Sequence, residues 1–151
     1  MRNILKLKTL LLQSNKYSEM GFLDKIFNSE KDTNKVEIEP VPWIQLTEME
    51  TLDEIAEISK KQTVAILKHS TSCGISRMVL RQFEQSYDLK EEQVKLYFLD
   101  LLAYRDISNK IASRFNVPHQ SPQLIVIKDG KVVFDASHSG IQSEKLNEFI
   151  G

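Results

Sequence analysis

One cysteine, Cys73, serves the whole chain. No intramolecular disulfide can therefore form, which excludes a small secreted fold stapled by bridges. The compartment expected from this is reducing, hence cytoplasmic. Any disulfide that Cys73 enters must join it to another molecule. The chain also lacks a charge excess: 20 Lys and Arg stand against 21 Asp and Glu, a formal net charge of −1. No basic cluster rises above that balance, so nucleic acid is not an expected partner. No apolar run is long enough to span a bilayer, and no membrane association is expected. Three scattered histidines beside one cysteine give no zinc-ligand spacing, so no metal site is expected. The glycine-rich dinucleotide motif, the P-loop and the H-E-x-x-H motif are all missing, and no bound cofactor is expected.

What is present is globular material. With 41% hydrophobic and 27% charged residues, one packed domain is expected rather than wholesale disorder. Arg2, Lys6 and Lys8 surround Leu10-Leu11-Leu12 near the start. That stretch is short, broken by lysines and followed by no small-residue cleavage site, so it does not read as a signal peptide. Met20-Gly21-Phe22-Leu23 resembles a natural chain start. Residues 1–19 then read as an upstream extension or a disordered segment. Residues 20–42 read as a tail with a short amphipathic helix over Phe22–Phe27, a polar linker, and Pro40 and Pro42. Residues 43–151 read as the folded domain.

Within that domain, Trp43-Ile44-Gln45-Leu46 is a strand candidate. Thr51-Leu52-Asp53-Glu54 fits a capping box, and Leu52, Ile55, Ala56 and Ser59 follow at helical spacing. Thr63–Leu67 is a continuous β-leaning apolar run, as expected of a strand covered on both faces. Ser70–Cys73 is a polar turn. Ile75, Met78, Val79, Gln82, Phe83 and Tyr87 then predict a second helix. Val94–Leu99 predicts a strand, and Ile107, Ile111, Ala112 and Phe115 predict a third helix with Asp106 as its cap. Leu124–Ile127 and Val132–Phe134 predict two strands joined at Asp129-Gly130, a strong hairpin signal. Ser143–Ile150 predicts a last amphipathic helix. The order is β α β α β α β β α, an α/β class with a mixed central sheet and helices on both faces. It is the element order of the thioredoxin fold.

The chemistry concentrates on one turn. Cys73 directly precedes an amphipathic helix, where unpaired N–H groups and the helix dipole favour a negative charge. A thiolate is the nucleophilic form, and such sites lower the thiol pKa to ~3.5–7.5. Ser76 lies three residues on, within reach in the first helical turn. Cys73-Gly74-Ile75-Ser76 is thus a C-x-x-S motif in which serine stands where a resolving cysteine would be. Ser76 also reads as a helix-start residue satisfying the backbone. Arg77 reads either as a partner for a carboxylate-bearing ligand or as a solvated helix charge. Ser121-Pro122, just before a strand, is a candidate cis peptide bond. His69 and His119 flank the two loops in sequence; a histidine beside a thiolate assists its ionisation.

Two stretches resemble one family. Lys68-His69-Ser70-Thr71-Ser72-Cys73-Gly74-Ile75-Ser76 is similar to the active-site segment of the monothiol bacilliredoxins. Tyr104–Ala112 followed by Val117-Pro118-His119-Gln120-Ser121-Pro122-Gln123 resembles a second segment of them, and the likeness runs from Trp43 to Gly151. It implies a thioredoxin fold with Cys73 as nucleophile, Ser76 beside it, and Ser121-Pro122 as a cis-proline loop. It implies substrate contacts at Ser72, Gly74, Arg77, Ser121 and Pro122. It further implies removal of the small thiol bacillithiol, a co-substrate rather than a bound cofactor, from S-bacillithiolated client proteins. Gly74 departs from the proline common there in the family. C-G-x-S is also the pattern of monothiol glutaredoxins, which hold iron–sulfur clusters, so a carrier of that kind stays open, as does a non-catalytic thioredoxin-like adaptor.

Overall fold

Strand β2 (Thr63–His69) lies at the centre of the domain, and all seven of its residues are buried. The computed structural model describes residues 39–151. The readings of residues 1–19, and of the short helix and linker between 20 and 38, lie outside the described residues. β2 pairs in parallel with β3 (Val94–Asp100) and antiparallel with β4 (Gln123–Lys128). Outside them lie β1 (Ile44–Gln45), parallel to β3, and β5 (Lys131–Ser137), antiparallel to β4. The sheet order is β1-β3-β2-β4-β5, the mixed sheet expected from the element order.

Side-chain alternation along β2 divides the core in two. Val64 and Ile66 join Leu52, Ile55, Ile107 and Ile111 on one face. Ala65 and Leu67 join Val79, Phe83 and Leu146 on the other. Helices α1 (Thr51–Ile58) and α3 (Arg105–Phe115) therefore cover the first face. Helix α2 (Gly74–Ser86) and the C-terminal turn cover the second. The β4–β5 hairpin turns at Asp129 and Gly130, both with positive φ, 51° and 74°. That is the conformation for which Asp-Gly is selected. Ser59 at the end of α1 holds this turn, its carbonyl accepting from Asp129 N–H and its hydroxyl from Gly130 N–H, both at 2.8 Å.

Five local expectations need correction. The segment Ser143–Phe149 is a 3-10 helix, not an α-helix. Its core contacts fall at Ser143, Leu146 and Phe149, a spacing of three that a three-residue turn lines up. The capping box at Thr51 does not form: Glu50 precedes the helix in helical conformation without a side-chain cap. The first N–H groups are instead met by the Met49 and Glu50 carbonyls. Asp106 is not the cap of α3, because Tyr104 occupies that position; its carboxylate sits in the first turn, where it still faces the positive end of the helix. Strand β2 runs two residues past Leu67, through Lys68 and His69. The buried stripe of α2 is Ser76, Val79 and Phe83, while Ile75 and Met78 are 53% and 55% exposed.

Candidate active site

Two loops leave the sheet at one end. Lys68 near the end of β2 is the register partner of Gln123 at the start of β4. The turn that follows β2 and the loop that precedes β4 therefore emerge side by side. The first carries Ser72, Cys73 and Gly74; the second carries Ser121 and Pro122. The Ser121–Pro122 peptide is cis, and Pro122 is buried.

Cys73 closes the turn, its N–H donating to the Ser70 carbonyl at 3.1 Å. Its backbone is extended (φ −100°, ψ 124°), and helix α2 begins at the next residue. Its own carbonyl accepts the first helical bond, from Arg77 N–H at 3.2 Å. This makes Cys73 the N-cap residue, facing N–H groups that no helical carbonyl satisfies. The main-chain N–H groups of Ser76 and then Ile75 hold the thiol below its ordinary pKa of 9.0, with smaller help from the Ser76 hydroxyl and the Arg77 charge. None closes into a formed cap bond in the resting geometry. They are donors poised for a negative sulfur. The thiol is free.

Ser76 has no solvent exposure, and its Oγ has no hydrogen-bond partner. A buried hydroxyl without a partner is costly, so its setting beside the sulfur is notable. Ser121 Oγ on the neighbouring loop is also buried and unpartnered. Gly74 is not required by space: a Cβ there would meet only Arg77 Nη2, at 4.0 Å. Arg77 is exposed, and its charge acts on both Cys73 and His69.

The two histidines differ from a thiolate-assisting pair. His69 is buried on the α2 face, its ring tilted against Phe98 with centroids 5.2 Å apart, with Nδ1 unpartnered. Burial above all, and Arg77 in part, push its pKa below 6.5, against the opposing pull of Asp100 and Glu84. It is neutral near pH 7, and the thiol's ionisation rests on backbone N–H groups instead. His119 turns to the other side of β2, where its Nδ1 lies 2.8 Å from Lys68 Nζ.

Sequence reasoning missed Lys68 as a core residue. It is fully buried, and Nζ also donates to Gln123 Oε1 at 3.2 Å. A lysine immediately after a five-residue apolar strand run, with a glutamine opposite in the next hairpin, was the available signal. Among the described residues no group of three or more His, Cys, Asp or Glu side chains converges as metal ligands, and no helix is long and apolar enough to cross a membrane.

Known proteins agree with this geometry. A thioredoxin-fold protein with a suggested oxidoreductase role is 32% identical, with a TM-score of 0.60 over 70% of this chain and 91% of that one. Thioredoxin from Malassezia sympodialis superposes with a TM-score of 0.54 at 19% identity, over 74% of this chain and 89% of its own. Fasciola hepatica thioredoxin gives 0.51 at 24%, over 70% and 94%; these two bear on the fold alone. Residues 44–146 match the family described as Monothiol bacilliredoxin BrxC. The chain belongs to the monothiol bacilliredoxin family, whose thioredoxin-like fold is that of thiol oxidoreductases.

Proposed function

We propose that this protein strips a low-molecular-weight thiol, bacillithiol, from mixed disulfides on client proteins. The observation that carries the reading is Cys73, an unpaired thiol with a lowered pKa at the start of α2 and a buried serine in the resolving position. Family membership supports the choice of small thiol. The Cys73 thiolate attacks the sulfur of the small thiol in the mixed disulfide. The client leaves as a thiolate and takes a proton from solvent, and Cys73 is left in a disulfide with the small thiol. A second molecule of that thiol, as thiolate, then attacks this disulfide. It leaves as the symmetric small-thiol disulfide and restores Cys73. Ser72, Gly74, Ser121 and Pro122 are the proposed surface against which the disulfide lies, and Arg77 meets a carboxylate of the small thiol. The reaction site is cytoplasmic in this reading.

Intact-mass measurement tests it. Incubated with a bacillithiolated client, the protein gains one bacillithiol on Cys73 while the client loses one; Cys73→Ser does neither. Reaction with a glutathionylated client alone would move the assignment to the glutaredoxin-like reading. Failure with both would leave an adaptor.

A further inference from the structure

The loop that carries Ser121 and Pro122 is held from below by two side chains that the exchange chemistry does not use. Lys68 Nζ meets His119 Nδ1 at 2.8 Å and donates to Gln123 Oε1 at 3.2 Å. Gln123 Oε1 also accepts from Gln120 N–H at 3.2 Å, and Gln123 Nε2 donates to the Pro118 carbonyl at 2.9 Å. Three consecutive residues ahead of Ser121 are thus tied to one lysine–glutamine pair. The lysine lies on the strand that leads into the Cys73 turn. Among the described residues no carboxylate bonds it; Asp135 is reached only through Gln123, at 3.4 Å. Ser108 Oγ, 3.4 Å from His119 Nδ1, and the Arg105 charge complete the polar surroundings of the ring.

A core ammonium held this way is a poor means of stabilising a fold. Burial pulls the Lys68 pKa from 10.5 down to about 8, and apolar replacement of buried charges is often neutral or stabilising. Near pH 7 the ammonium donates to His119 Nδ1, so that the ring is neutral with its proton on Nε2.

We infer that Lys68 is a positioning residue: through His119 and Gln123 it fixes the loop bearing Ser121–Pro122 against the strand that delivers Cys73, so that a disulfide meets both at once. The inference rests on the exchange reading above, and it separates two properties that a purely structural lysine would join.

The test compares wild type with Lys68→Met, His119→Asn and His119→Leu. Transfer to Cys73 is followed from a cysteine peptide carrying bacillithiol and from the same peptide carrying glutathione. Lys68→Met is expected to melt no lower than wild type at pH 7 and to alkylate Cys73 with an unchanged pH midpoint. Its transfer rate falls ~10-fold or more, as for a mispositioned reacting pair. Nitrogen NMR is expected to show the wild-type His119 locked as the Nε2–H tautomer and released in Lys68→Met. His119→Asn, whose amide oxygen can still accept from Lys68, retains most of the rate; His119→Leu, at an exposed position, loses it. An active wild type with an equally fast, folded Lys68→Met overturns the inference alone. If Lys68→Met unfolds, equal rates in His119→Leu and wild type overturn it. Wild type inert toward both peptides overturns the exchange reading and this inference together.

Discussion

Lys68 and Gln123 are register partners across the β2–β4 ladder, and their side chains meet as well, Nζ to Oε1 at 3.2 Å. Backbone and side-chain pairing at one position set the two loops of the site side by side. That pairing and the helix start at Cys73 together govern how the thiol, the turn and the buried polar groups respond to substitution and pH.

The thiol of Cys73 is activated by N–H groups of Ser76 and Ile75 before any side-chain charge. Iodoacetamide alkylation against pH should show a midpoint below 9.0. Arg77→Ala should move it only slightly upward, because the Arg77 charge is the smallest of the contributions. A midpoint that rises fully to the ordinary thiol value in Arg77→Ala would transfer the effect from the helix to the guanidinium.

Gly74 is the first residue of α2, and its N–H joins neither the turn bonds nor the pull on the sulfur. Proline is well suited to the first helical position. Gly74→Pro should therefore stabilise the domain by ~0.4–1 kcal/mol through the unfolded chain, with the Cys73 alkylation midpoint little changed. Chemical denaturation reads the first quantity. A loss of stability would show that Gly74 needs backbone freedom at this turn.

Ser76 keeps a hydroxyl in the core with no partner. Ser76→Ala removes the cost of burying it, on the order of 1–3 kcal/mol when unbonded. The variant should hold its stability or gain, while its thiol midpoint rises by a small amount because the hydroxyl's lowering effect is lost. A clear drop in melting temperature would mean that Ser76 finds a partner in solution.

His69 and His119 both have folded pKa values below 6.5. As pH falls through that value the unfolded chain takes up protons first, so the stability these two residues contribute is present above pH 6.5 and lost on acidification. His69→Phe, which keeps a ring beside Phe98, should flatten the acid limb of the stability profile. An unchanged limb would assign the loss to other groups.

Most of the architecture was legible because β2, β4 and α3 carry unbroken apolar runs or clear helical periodicity, and because Asp129-Gly130 fits one turn type. The site's outline was legible for a related reason: a cysteine just before a helical pattern stands where free N–H groups favour a thiolate. What escaped was burial of polar groups. Period and propensity treat Lys68, Ser76 and Gln123 as surface residues, whereas each is fully buried. For Lys68 the partners, His119 and Gln123, lie about fifty residues away in sequence. The α2 stripe was misplaced by the same mechanism: Ile75 looks like a core residue only until Ser76 is seen to take that place.

The serine at position 76 also has a consequence for timing. A protein with its own second thiol releases the small thiol in a unimolecular step, at a pace independent of the small-thiol pool, and leaves an internal disulfide for a separate reductant. Here, in the proposed exchange, the second half-reaction is bimolecular, and its rate is proportional to the concentration of free small thiol. The loaded form accumulates when that pool runs low and drains when it recovers. The occupancy of Cys73 then acts as a gauge of the pool, and no additional sensing element is needed for it to do so.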